Sequence, residues 1–80
     1  MDKHVTIYST PTCHFCQMAK DFSAEKGIEY TAYDVASDAA KRAEMIKLTG
    51  QLGVPVIVID GDISVGFSRE RLAQKLGIAA

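Results

Sequence analysis

Tryptophan is absent from the 80-residue chain, cysteine occurs only twice, and neither sign of charge dominates: nine Lys and Arg stand against ten Asp and Glu, for a formal net charge of −1. Each shortage excludes something. Without a basic excess or interleaved stacking aromatics there is no electrostatic footprint for nucleic acid; Lys41 and Arg42 are adjacent and Lys47 follows, but Glu44 interrupts them, and the group reads as a solvated helix face. No apolar run approaches a transmembrane span or a signal-peptide core, since Met1-Asp2-Lys3-His4 leads into only a few apolar residues. No membrane association is expected, and the expected compartment is the cytoplasm. There, two cysteines are not expected to form a permanent cross-link, and closing so short a loop would stabilise little. Linkers, repeats and low-complexity segments are also missing. An apolar content of 48% and a charged content of 24% describe an ordinary folded protein, expected to be one domain over residues 1–80 that buries roughly 60% of its unfolded surface.

What is present is concentrated in Tyr8-Ser9-Thr10-Pro11-Thr12-Cys13-His14-Phe15-Cys16. Before it, Val5, Thr6, Ile7 and Tyr8 form a β-branched and aromatic run; after it, Phe15, Met18, Ala19 and Phe22 recur at helical spacing. The cysteines therefore stand at a strand-to-helix turn. With Cys13 at the N-cap or in the first turn, its sulfur lies near unpaired backbone N–H groups and the positive end of the helix dipole, which favour thiolate over thiol. Cys16 falls on the same helical face, within the span a disulfide bridges. A nucleophile and a resolving thiol are both supplied. A structural pair of core thiols would have no reason to stand at such a turn behind Pro11-Thr12.

Along the chain, a first strand is expected over about Lys3 to Tyr8, then a helix from the cysteines to Lys26 with Gly27 as its stop. Ile28, Tyr30, Ala32 and Asp34 alternate with Glu29, Thr31 and Tyr33 up to Val35, a second strand parallel to the first. Ser37 or Asp38 can cap a second helix, with Ala39, Ala43, Ile46 and Gly50 near one stripe and Lys41, Glu44 and Lys47 on the other face. Val54 to Ile59 is unbroken apolar sequence, as in a strand covered on both faces, with Pro55 near its start. Asp60-Gly61 reads as a hairpin turn into Asp62 to Val65. Ser68 should cap a last helix stopped by Gly77, with Phe67 and Leu72 at the spacing of a hydrophobic staple and Leu72, Ala73 and Leu76 facing inward. The order is β-α-β-α-β-β-α, an α/β architecture with a four-stranded mixed sheet and three helices. Tyr8, Met18 and Phe22 read as core, and His4 and Lys20 as surface.

Cys13-His14-Phe15-Cys16, Gly53-Val54-Pro55, and Asp60-Gly61 leading to Gly66-Phe67-Ser68 together resemble the landmarks of glutaredoxins, over nearly the whole chain from Val5 to Ile78. The resemblance implies a thioredoxin-like fold, a cis Pro55 opposite the cysteines, and a Val54 backbone able to pair with a bound peptide or glutathione. It also implies a dithiol thiol-disulfide oxidoreductase with catalytic Cys13 and Cys16. Substrate or glutathione would be met by Thr12, His14, Phe15, Val54, Pro55, Gly66, Phe67 and Ser68. Glutathione is the implied co-substrate, with no tightly bound cofactor and no metal, and a monomer is expected. Thioredoxins proper differ, with Trp before the first cysteine and Gly-Pro between the two. Within the glutaredoxin pattern, His14 replaces a proline, Thr10 stands where a basic residue is common, Gly53 replaces Thr, and Val65-Gly66-Phe67-Ser68 replaces a Gly-Gly then Asp element. The Gly-Phe pair is similar to NrdH-type redoxins, which take electrons from thioredoxin reductase and pass them to ribonucleotide reductase.

The expected chemistry is attack of the Cys13 thiolate on a protein disulfide or glutathione adduct, followed by resolution by Cys16. His14, when protonated, would stabilise the thiolate; otherwise it is a solvent-facing residue in the proline position. An alternative of another class is metal or iron–sulfur binding through Cys13 and Cys16, with further ligands from His14, His4, glutathione or a second chain.

Overall fold

The computed structural model describes residues 4–78. Seven elements follow in the expected order: β1 Val5–Ser9, α1 His14–Glu25, β2 Tyr30–Asp34, α2 Ala39–Thr49, β3 Val56–Ile59, β4 Asp62–Val65 and α3 Arg69–Leu76. The sheet runs β2-β1-β3-β4. β1 pairs parallel with β2 and antiparallel with β3, and β3 pairs antiparallel with β4. Lys3, the expected first residue of β1, lies outside the described residues. β2 is shorter than its apolar pattern because β1 offers only five partners, from Val5 opposite Tyr30 to Ser9 opposite Asp34. β3 starts two residues late, since Pro55 has no N–H to give a ladder.

Local chemistry accounts for the boundaries. Asp38 and Ser68 cap α2 and α3 by accepting from the backbone N–H groups of Lys41 at 3.0 Å and Arg71 at 3.3 Å. Gly50 and Gly77 end those helices in the left-handed conformation. The turn between β3 and β4 holds both Asp60 and Gly61 at positive φ, 49° and 86°, the geometry that joins antiparallel strands through two residues.

Alternation along β1 and β3 divides the core into two layers. Val5, Ile7, Ile57 and Ile59 face Ala19 and Phe22 of α1 and Leu72 and Ala73 of α3, with Phe67 packed against the same cluster. Tyr8 and Val56 point to the other side, onto Val35 and Met45 of α2, with Val54 and Val58 beside them. β3 is therefore covered on both faces, as its unbroken apolar run predicts.

Two expectations fail. Met18 is not core: the buried line of α1 is Cys16, Ala19, Phe22 and Ser23, and Phe15 and Met18 border it on the solvent side. In α2 the expected stripe faces outward. Only Met45 of this helix is buried, while Ala39, Ala43, Ile46 and Gly50 are exposed. Lys41 and Arg42 are half-buried instead, with their charged ends engaged. The Lys41 ammonium sits 4.3 Å from the Tyr33 ring centroid and 3.3 Å from Glu44 Oε2, and Arg42 donates to the Val35 carbonyl at 3.2 Å. Glu44 accepts from the Tyr8 hydroxyl at 2.5 Å. Burial and this bond push the Tyr8 phenol up to about 12, while the same bond holds the Glu44 carboxyl below its usual range. Met45→Ala should therefore cost about 2–5 kcal/mol in a denaturant titration, while Ala43→Lys on the exposed stripe should change stability by less than about 0.5 kcal/mol.

Candidate active site

Strand register gathers the site. Tyr8 pairs with Val56 and Val56 with Val65, so three segments meet at one end of the sheet: the turn Thr10–Cys13 leaving β1, Val54–Pro55 entering β3, and Gly66–Ser68 leaving β4. The Val54–Pro55 bond is cis, as the resemblance implies. The Pro55 carbonyl accepts from the Gly66 N–H at 2.8 Å, which ties two of the segments together. Gly66 has φ 88°, a conformation that disfavours any residue with a Cβ.

Cys13 is the N-cap of α1. Its backbone is extended, its N–H donates to the Thr10 carbonyl at 3.3 Å, and its sulfur accepts from the Cys16 N–H at 3.2 Å. An oxygen usually fills that acceptor role. Here the capping atom is a thiol sulfur, half-exposed and placed at a helix start where anionic character is favoured. Both cysteines are free thiols, but their settings differ. Cys16 is 1% exposed. Burial pushes its thiol up to about 11, helped by its hydrogen bond to Cys13 and the Cys13 charge; a backbone hydrogen bond from Thr10 and the charge of Lys20 pull the other way. At neutral pH Cys16 is a protonated thiol held behind Cys13.

The remaining predicted site residues divide by what they touch. Thr12, His14 and Phe15 are exposed on the cysteine side, the His14 and Phe15 rings meeting edge to face at 5.7 Å. Pro55 is buried and Val54 half-buried. Among the described residues the Val54 N–H and C=O make no hydrogen bond. Phe67 serves the core, its ring 6.2 Å from that of Phe22, and the Ser68 hydroxyl is engaged as the α3 cap. A Cβ at Gly53 would meet Gln51 Oε1 at 3.4 Å, Gln51 Cδ at 3.7 Å and Val65 Cγ1 at 3.9 Å, so crowding does not demand glycine there.

The sequence did not single out three further contributors. Leu52, 64% exposed, and Val65 add to Phe15, 55% exposed, in giving this end of the molecule an apolar rim. Leu52 belongs to no motif, and Val65 stands in the Val65-Gly66-Phe67-Ser68 element only as the residue before its glycine. Lys20 is half-buried rather than surface, and its spacing of four from Cys16 was the available signal. Among the described residues no group of three or more His, Cys, Asp and Glu is placed to hold a metal ion, and no helix is long and apolar enough to cross a membrane.

A family model described as Glutaredoxin matches residues 5–63. An uncharacterized glutaredoxin-like 8.6 kDa protein in the rubredoxin operon of Clostridium pasteurianum is 46% identical over 68 residues, 85% of this chain and 91% of that protein. Glutaredoxin 3 of Escherichia coli (strain K12) is 42% identical over 57 residues, 71% of this chain and 69% of that protein. The thioredoxin-like protein BC3987 superposes with a TM-score of 0.84 at 33% identity, covering 90% of this chain and 99% of that one. The fold is thioredoxin-like, and with a matched region that runs from β1 into the first half of β4 and includes both cysteines, the chain belongs to the glutaredoxin family.

Proposed function

We propose that the protein is a dithiol thiol-disulfide oxidoreductase in which Cys13 attacks and Cys16 resolves. The observation that carries this is the asymmetry of the pair: a half-exposed sulfur capping α1, and behind it a buried thiol whose N–H already bonds that sulfur. In the first step the Cys13 thiolate attacks R–S–S–R′, forming Cys13–S–S–R and releasing R′–S⁻, which takes up a proton. In the second, Cys16 gives up its proton and attacks the Cys13 sulfur; the Cys13–S–R bond breaks and R–S⁻ leaves with the electron pair. Two electrons pass to the substrate, and the protein ends as the Cys13–Cys16 disulfide.

The substrate chain lies along the apolar rim of Phe15, Leu52 and Val65, with its backbone on the open N–H and C=O of Val54. Thr12, His14, Pro55 and the Gly66–Ser68 turn complete the surround. Disulfide-containing proteins and glutathione adducts both fit this path. The oxidised pair is returned to dithiol by glutathione or by thioredoxin reductase. The uncharged Thr10 and the apolar rim favour a protein donor over a tripeptide that carries two carboxylates, which is the NrdH-type assignment. The site acts on its own residues, without a tightly bound cofactor or metal, in a cytoplasmic monomer.

With a glutathionylated peptide as substrate, Cys16→Ser should accumulate a mixed disulfide on Cys13, visible by intact mass, while Cys13→Ser should lose exchange by a factor of about 10³ or more. A Cys13→Ser variant with wild-type exchange would overturn the assignment. The donor is decided by re-reducing the oxidised protein with NADPH and either glutathione plus glutathione reductase or thioredoxin reductase. The apolar site predicts faster reduction by thioredoxin reductase; faster reduction by glutathione would show that Thr10 suffices to receive it.

A further inference from the structure

Cys13, Cys16 and Lys20 fall at i, i+3 and i+7, on one face of α1 and its cap. Lys20 is half-buried, and among the described residues it makes no ion pair or hydrogen bond. Three other cations have carboxylate partners: Lys41 with Glu44, Arg69 with Glu25, Lys75 with Asp62. Its neighbour Asp21 is engaged by Gln17 Nε2 at 2.9 Å and leaves Lys20 alone. A lysine that gives up solvent without gaining a carboxylate acts on whatever lies beside it. One turn back lies the Cys16 sulfur, and the Lys20 charge reaches it.

The groups acting on Cys16 change during the reaction. Before attack, burial and the Cys13 sulfur oppose its ionisation, while the Thr10 backbone and Lys20 favour it. Once Cys13 is held in a mixed disulfide its sulfur carries no charge, and its opposition ends. Of the titratable groups that act on Cys16, Cys13 and Lys20 both belong to α1 or its cap, and the turn after β1 contributes only the Thr10 backbone. Among the described residues, Lys20 is then a charged side chain that still favours the Cys16 anion.

Resting on the assignment of Cys16 as the resolving thiol, we propose that Lys20 is a positioning residue for resolution: its ammonium stabilises the Cys16 sulfur as an anion while that sulfur attacks Cys13, and so sets how fast the product leaves. The bonds made and broken are those of the second step above. Lys20 keeps its proton throughout.

Reaction of the reduced protein with an excess of the aromatic disulfide 5,5′-dithiobis(2-nitrobenzoate) in a stopped-flow cell separates the two steps. The first equivalent of coloured thiolate reports attack by Cys13 and scales with reagent concentration; the second reports resolution by Cys16 and does not. Lys20→Met should slow the second phase about three- to tenfold near neutral pH and move its pH inflection upward, with the first phase within about twofold of wild type. Lys20→Arg, which keeps the charge, should restore most of the rate and the inflection. A second phase in Lys20→Met that matches wild type across pH would overturn the proposal. So would equal slowing in the Met and Arg variants with an unmoved inflection, the mark of a packing role. A wild-type protein with no second phase would instead overturn the assignment of Cys16, and this proposal with it.

Discussion

The 3.2 Å hydrogen bond from the Cys16 N–H to the Cys13 sulfur joins two requirements that most helices keep apart. A helix start needs an acceptor for its unpaired N–H groups, and a thiol nucleophile needs a donor that favours its anionic form. At α1 one atom is placed to meet both needs, so the conformation that ends the turn after β1 also presents the sulfur proposed as the nucleophile. The fold then fixes what surrounds that sulfur. Because β3 runs antiparallel to β1, its entry at Val54–Pro55 comes to the same sheet end as the exit of β1, and the β3–β4 hairpin returns Gly66–Ser68 to that end as well. Three segments distant in sequence become one surface.

The two cysteines share a helix face but not an environment. A disulfide exchanger needs one thiol that meets substrate and one that waits, and burial separates them here without any change of residue type. Cys16 is kept protonated by the same packing that holds α1 on the sheet. Its release depends on the state of Cys13, since the sulfur that opposes its ionisation loses that influence on entering a mixed disulfide. In the proposed reaction, order thus arises from electrostatics between neighbours three residues apart.

Much of the fold was legible in the sequence, and for particular reasons. Strands β1 and β3 announce themselves by β-branched runs, the turn at Asp60-Gly61 by a residue pair that readily accepts two positive φ angles, and the helix ends by Asp38, Ser68, Gly50 and Gly77. These signals are local, so they survive without tertiary knowledge. The face of α2 is not local. Its apolar count favours Ala39, Ala43 and Ile46, but the sheet offers the Tyr8 hydroxyl, the Tyr33 ring and the Val35 carbonyl, which suit Lys41, Arg42 and Glu44 better than alanine. The exposure of Met18 has a related reason: which of the adjacent apolar positions 18 and 19 lies against the sheet depends on how α1 is set on it, and pattern alone does not choose between them. Of the site, the cysteines were legible from spacing, and Val54, Pro55 and Gly66 through family resemblance. Lys20, Leu52 and Val65 were not, because their relevance follows from which segments the register brings together.

The central claim is that the two thiols have separate roles set by exposure and burial. Its most direct test is to treat the reduced, folded protein at neutral pH with less than one equivalent of iodoacetamide and to locate the label by peptide mass spectrometry. The account predicts label on Cys13 nearly alone, with Cys16 labelled only after denaturation or in strongly alkaline solution. Equal labelling of both thiols, or preference for Cys16, would contradict it.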